Sequence, residues 1–373
     1  MSSVCEPVRS KAPAALKAQI AEAMKIGLLQ AMPVLRFFSI VFGITLAVSV
    51  PLASADFNRF DVKGVDGPLY PVEVDGKYGY IDARGAMVVA PRFTRAMRFS
   101  EGLALVFEGK LAGYLNVSGS FQIKPTYAGA GDFSEGYAAV LTGNRFGYID
   151  QTGRTVIPPA FERAGTFHRG LAPCKIKGLY GFCDRKGTVV IKPAYSWVLG
   201  FSQGRAAVYK DGKAGYIDPT GKVVTPLDYE SAGDFSEGLA WVVRGNGCGF
   251  INRGGRVAIP FRFTACGDFS NGLAQAYTGE RRMGYIDPQG HWVIKPRFEN
   301  GSSFHGDMAP VSVGDRFGYI DRNGKTVIPF SFDMAYPFHS SLAQVTIGGK
   351  TAYIDVRGKV VGPVGSAAGV LPR

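Results

Sequence analysis

The chain has little of what most enzymes and helical proteins are built from. Its 373 residues include five cysteines, four histidines and three tryptophans. Nowhere does it contain H-E-x-x-H, C-x-x-C or G-x-x-x-x-G-K-[ST], so zincin, dithiol and P-loop chemistry lose their usual signatures, and its G-x-S-x-G match, Gly200 to Gly204, is one copy of a recurring Phe-Ser-x-Gly segment. Apolar runs are short after Val50, which leaves no later segment with the roughly 20 residues a membrane span needs. What is abundant is glycine, at 50, and proline, at 22. In helix interiors these cost about 1 and 3 kcal/mol. With 46% apolar and 12% aromatic residues the chain is too apolar for disorder, and the combination predicts short strands joined by tight turns.

One apolar run stands apart, Phe37 to Val50. It follows Arg36 and precedes Pro51 and the small triplet Ala53-Ser54-Ala55. A basic flank, a short apolar core and an A-x-A site read as a secretory signal peptide within an N-terminal extension, 1–55, cleaved before Asp56. The long stretch ahead of it places the true start at Met24 or Met32. The expected location is periplasmic or secreted, with an uncleaved inner-membrane anchor as the alternative. Cysteine usage agrees with export: Cys5 precedes the signal, and Cys174, Cys183, Cys248 and Cys266 remain. Local bridges Cys174–Cys183 and Cys248–Cys266 are expected in an oxidising compartment, against the alternative of four small buried thiols.

A period organises the rest. Gly-aromatic-Ile-Asp recurs, with variations, from Gly79, Gly113, Gly147, Gly181, Gly215, Gly249, Gly284 and Gly318, with Ala352 in the ninth place. The spacing is 34 residues, stretched once to 35 around Gly279. Asp-x-x-Gly, with Asn116 and Asn252 in two units, closes each hairpin, as in Asp150 to Gly153, because the side-chain oxygen caps backbone N–H groups and glycine takes positive φ cheaply. Those acids are therefore turn-formers. Each unit reads as an apolar strand such as Leu239-Ala240-Trp241-Val242, the Gly-Tyr-Ile strand, and a β-branched strand reaching a proline that must end it or put it at an edge. An aromatic after that proline and another in the Phe-Ser-x-Gly link are expected to pack one unit on the next. His168, His305 and His339 follow the link phenylalanine; they read as loop positions rather than metal ligands.

The units resemble the WG (KWG) repeat family in segments such as Lys77-Tyr78-Gly79-Tyr80-Ile81-Asp82, Val156-Ile157-Pro158-Pro159 and Phe235-Ser236-Glu237-Gly238. The resemblance covers nearly all of 69–363. The slot before the anchor glycine, where the family often has tryptophan, here holds Tyr78, Ala112, Phe146, Tyr180, Ala214, Cys248, Met283, Phe317 and Thr351. The resemblance implies a propeller-like β array. From the units alone, three short strands cannot bury both faces, so neighbours must stack. The expected fold is all-β: nine units over 69–363 in a β-propeller-like array, closed or slightly open, with an open β-solenoid as the alternative. Residues 56–68 are then a linker or first-strand segment, and 364–373 a tail.

The chemistry left over is charge. The formal charge is +12, and residues 1–55 hold five Lys/Arg against two Asp/Glu, so most of the excess lies in the repeats. Two places before the anchor, six units carry a base: Lys77, Arg145, Lys213, Arg282, Arg316 and Lys350. Stacking aligns these into a row along one rim. A second set, Arg92, Lys124, Lys192, Arg262, Lys295 and Arg297, flanks the strand-three proline. Such a row suits an anionic envelope polymer or a protein partner, and equally keeps strand edges solvated. Trp197 occupies a slot that is not aromatic elsewhere, and Trp292 one otherwise aromatic only at Phe121; both could stack sugars. The reading is a non-catalytic binding scaffold without cofactor or metal and with no specific nucleic acid. The rivals are an enzyme around Cys174, His168 and Arg169, and a membrane-anchored envelope sensor.

Overall fold

A computed structural model describes residues 68–279 and 282–362. The signal and cleavage readings, Cys5, most of the 56–68 segment and the C-terminal tail lie outside the described residues. Thirty-four strands and, among the described residues, no helix form nine small antiparallel sheets. The sheets are the blades of a closed nine-bladed propeller: 70–93, 95–127, 129–161, 163–195, 197–229, 231–263, 265–298, 300–332 and 334–355. No helix of the described residues is long and apolar enough to cross a membrane.

Seven blades have four strands rather than the expected three. The extra strand is the short one just before Phe-Ser-x-Gly, for instance Gly129–Ala130 or Ser231–Ala232. Two residues carry no readable alternation, which hid the strand in the sequence. This short strand lies innermost. The strand after Asp-x-x-Gly lies outermost and exposes Val190, Val223, Val257 and Val327. The proline reading holds in part: Pro125 sits on the edge strand Phe121–Tyr127, yet that strand continues past it through a bulge that pairs Tyr127 with Ala112. The bulge carries backbone over the anchor glycine, so a Cβ on Gly113 would stand 2.7 Å from the Ile123 carbonyl oxygen. Ala352 escapes this because, among the described residues, its blade pairs three strands and outside them an isolated bridge joins Ile354 to Val360.

Blades are joined by repeated side-chain devices. The aromatic after each anchor is fully buried, and where it is tyrosine, in seven of the nine blades, its hydroxyl donates to the next blade's backbone: Tyr80 to the Met97 carbonyl, Tyr114 to Gly131, Tyr216 to Gly233, each at 2.7 Å. The link phenylalanine packs edge-on against the preceding blade's tyrosine, as Phe133 on Tyr114 at 4.7 Å. Link serines then donate around the ring, Ser100 to the Phe133 carbonyl and Ser236 to that of Phe269, both at 2.7 Å. Each buried hydrogen bond contributes about 1 kcal/mol net but would cost more if left unmade, so the repetition fixes blade spacing.

Closure uses the same chemistry. Tyr353 of blade 9 donates to the Pro71 carbonyl of blade 1 at 2.8 Å, and Tyr70 of blade 1 donates to the His339 carbonyl at 3.1 Å. Val72, Ile81, Leu342 and Tyr353 make one small core across the seam. Among the described residues no N-terminal strand joins the last sheet, so the ring is sealed face to face by side chains.

Candidate functional site

The basic row forms as the period requires, with its six side chains exposed at the hairpin turns of one rim. Four of them meet an acid from the start of the next blade: Lys213 to Glu230 at 2.9 Å, Arg282 to Glu299 at 2.9 Å, Arg145 to Glu162 at 3.8 Å, and Arg316 to Asp333. The same acids accept turn N–H groups, Glu230 from Gly245 and Asp333 from Gly349, both at 3.0 Å. Exposed pairs of this kind are worth about 0–1 kcal/mol each, but they cancel the charge that a polyanion would meet. Lys77 and Lys350 make no ion pair among the described residues. They lie on blades 1 and 9, which adjoin at the seam.

The second basic set divides similarly. Arg262 and Arg297 lie over Phe263 and Phe298 at 5.1 and 5.0 Å and donate to the carbonyls of Gly290 and Gly324 on the following blades. Arg92 lies over Phe93 at 4.9 Å. Lys124, Lys192 and Lys295 stand exposed on outermost strands.

The Asp-x-x-Gly acids do what the sequence assigned them. Asp218 accepts from the Thr220 hydroxyl and from the N–H groups of Thr220 and Lys222, which together hold its carboxyl below the usual range. On the Phe-Ser-x-Gly face, Glu135 is another inter-blade staple. Burial pushes its carboxyl up, but Arg185 and the N–H groups of Gly170 and Arg169 more than offset that and hold it low.

The cysteine expectation is half corrected. Cys248 and Cys266 are bridged, with 6.1 Å between Cα atoms. Cys174 and Cys183 are free buried thiols instead. Cys174 faces Gly181 and Cys183 faces Ala172, which puts the sulfurs on one sheet face but diagonally. Diagonal neighbours stand farther apart than directly opposed ones, and here the two thiols meet as a hydrogen-bonded pair rather than a bridge. Cys174 has no solvent exposure, so it is not placed to meet a substrate with His168 and Arg169. His168 contacts Thr166 at 3.1 Å, and burial lowers its basicity against the opposing charge of Glu135. Trp292 packs half-buried on Phe263, whereas Trp197 is 44% exposed and edge-on to Tyr180 at 5.5 Å.

Sequence reasoning missed the inner wall. The residue just before each link phenylalanine follows the short inner strand, or in blade 2 lies within it: Arg98, Asp132, Thr166, Gly200, Asp234, Asp268, Ser303 and Pro337. Its signal was a slot whose charge changes sign from unit to unit while its neighbours stay constant. Asp132 is open to water yet hemmed in by protein, as on a channel wall, and desolvation raises its pKa. Desolvation and the neighbouring Asp268 push Asp234 up to about 7. A folded-state pKa raised this far favours the protonated form, so the associated stability is complete below about pH 4 and is lost as pH rises through 7. Asp234→Asn is therefore expected to match the parent Tm near pH 4 and to exceed it by a few degrees at pH 8, read by thermal scans at both pH values.

This architecture defines a propeller of short repeated blades held by backbone-directed tyrosines, serines and acids. The chain belongs to the family of WG containing repeats, whose model matches 78–111, 113–145, 146–180, 180–213, 215–248, 249–280, 283–316 and 317–350. Among solved structures it is similar to a eukaryotic initiation factor, at 11% identity and a TM-score of 0.58 over 79% of this chain and 95% of that one. Looser similarities reach Kluyveromyces lactis Hsv2, at 8% identity and TM-score 0.38 over 66% and 89%. Another is PorZ, a bacterial surface component of the type-IX secretion system of Porphyromonas gingivalis, at 12% and 0.31 over 80% and 52%. The first shows the fold alone, and the other two carry no argument. No curated protein matches the chain.

Proposed function

We propose that this protein is an exported, non-catalytic binding scaffold for the cell envelope, and that it engages an anionic glycan or an acidic protein surface at the seam of the ring. The observation that carries this is the uneven neutralisation of the basic rim. Arg145, Lys213, Arg282 and Arg316 are tied to acids of the next blade, while Lys350 and Lys77 stay exposed and without an ion pair on adjacent blades. Unpaired like charges on adjoining blades raise the local potential, and an anionic partner relieves it. Export is supported by the apolar run and A-x-A site of the N-terminal extension, and by a disulfide that an oxidising compartment would maintain.

The test is retention of the mature protein on anionic envelope polymers and on a neutral glycan across a salt series. Binding should weaken steeply with salt. Lys77→Gln with Lys350→Gln is expected to abolish most of it, while Arg145→Gln with Lys213→Gln should change it little. Equal losses from both pairs, or retention on the neutral glycan alone, would overturn the seam reading.

A further inference from the structure

On the channel side of the same seam, three basic side chains from three blades come together: Arg98 of blade 2, His305 of blade 8 and His339 of blade 9. The two imidazole rings lie 5.3 Å apart, centroid to centroid. Arg98 lies on the strand Arg95–Ser100, which packs against Tyr70–Val74, whose Tyr70 hydroxyl reaches the His339 carbonyl at 3.1 Å; its charge acts on both rings, and all three side chains are only partly exposed. Convergence of blades 2, 8 and 9 places the group on the inner wall.

What surrounds the group is polar but not acidic. Among the described residues Arg98 feels only the phenolic groups of Tyr70 and Tyr353, and no carboxylate acts on it. Both phenols are already engaged, Tyr70 with the His339 carbonyl and Ser341, Tyr353 with the Pro71 carbonyl. The Arg98 guanidinium has no ion pair among the described residues, in contrast to four of the six rim bases. Elsewhere on the wall the same slot holds Asp132 and Asp234, neither of which acts on Arg98. A partly desolvated guanidinium without a carboxylate is costly unless an anion completes it, and a planar fork beside two ring nitrogens matches a tetrahedral or carboxylate oxyanion.

We propose that Arg98, His305 and His339 form an oxyanion-binding site on the channel wall, filled by a sulfate, phosphate or carboxylate group and coupled to proton uptake by the histidines. The site is distinct from the outer rim and does not rest on the rim being a binding surface. The groups facing the histidines are Arg98 from the inner strand of blade 2, each histidine for the other, Tyr70 from blade 1 and Tyr353 from blade 9. Burial and then Arg98 lower the basicity of both rings, that of His339 to about 3. An oxyanion on Arg98 removes that repulsion and raises both values. Binding therefore takes up protons, and affinity grows as pH falls.

The probe is sodium sulfate, which stays fully ionised from pH 4.5 to 8, so any pH dependence belongs to the protein. Calorimetric titration of the mature chain should show sulfate affinity rising about tenfold from pH 7.5 to 5. Arg98→Gln should abolish binding without lowering Tm, since an unpaired charge is removed. His339→Gln should keep binding at pH 7.5 and flatten the pH response. Lys77→Gln with Lys350→Gln should leave the sulfate isotherm unchanged, which separates this site from the rim. A sulfated disaccharide binding at least as tightly as sulfate would identify a polymer-borne group as the source, and weaker binding a free ion; either outcome supports the site if Arg98 is required. No sulfate binding at any pH, or binding that survives Arg98→Gln, overturns it.

Discussion

Gly113→Ala is expected to cost about 3 kcal/mol, read as a lowered urea midpoint at unchanged slope, because overpacking against a fixed backbone sits at the upper end of such effects. The added Cβ would stand 2.6 Å from the Pro125 nitrogen and 2.7 Å from the Ile123 carbonyl oxygen. Both are backbone atoms of a bulge, and neither can rotate away. Moving the bulge would also pull Tyr127 off Ala112 and loosen the cluster of Tyr114 and Phe133 beneath it. The reciprocal change is mild. Ala352→Gly, at the same slot of the last blade, should cost about 1 kcal/mol, the entropic difference between the residues. If Gly113→Ala were as mild as Ala352→Gly, the bulge would not be what demands glycine.

Removing the Cys248–Cys266 disulfide, by Cys248→Ala with Cys266→Ala, is expected to destabilise the ring by about 3 kcal/mol, as a crosslink closing a loop of this length contributes. The bridge spans 18 residues and ties the strand Gly247–Asn252 of blade 6 to the inner strand Ala265–Cys266 of blade 7. It therefore crosses the joint that Tyr80, Tyr114 and Tyr216 cross elsewhere by hydrogen bonds. Reductant should lower the parent's unfolding midpoint by the same amount and leave the double variant unmoved. Cys174→Ala with Cys183→Ala should retain the full response to reductant, and its own cost should be that of small cavities in a well-packed interface. Should the reductant effect follow Cys174 and Cys183 instead, the pairing would be reversed.

Both predictions turn on how units meet. Within a unit, the sequence was close to sufficient. Asp150, Thr152 and Gly153 announce a capped turn because the hydrogen bonds that make it are local, with Asp150 accepting from Thr152 and Arg154. The link phenylalanines announce core because nothing else explains an aromatic at fixed spacing, and Phe133, Phe167, Phe235 and Phe269 are all buried. Cys248 and Cys266 were legible as a pair for the same reason of proximity. Cys174 and Cys183 were equally close along the chain, but pairing depends on register, and one diagonal step separates bridged from free.

The basic row shows the other limit. Its existence follows from the period, yet its charge does not, since the neutralising acids Glu162, Glu230, Glu299 and Asp333 belong to the next unit and meet the bases only when blades pack. Arg98, His305 and His339 are more remote still, separated by more than 200 residues or drawn from different blades, and no spacing in the chain links them.

The sequence by itself determined the strands, the turns, the repeat and the apolar faces that oblige neighbours to stack, because each of these is settled within about 34 residues by alternation, glycine and proline. Only the tertiary structure decided that nine units close rather than spiral. Closure depends on the small angle between successive blades summed around the whole ring, and on whether the first and last faces meet. Here they do, through Tyr70, Val72, Ile81, Leu342 and Tyr353. That meeting also brings the blades of Lys77 and Lys350 together at the rim and Arg98 toward His305 and His339 in the channel.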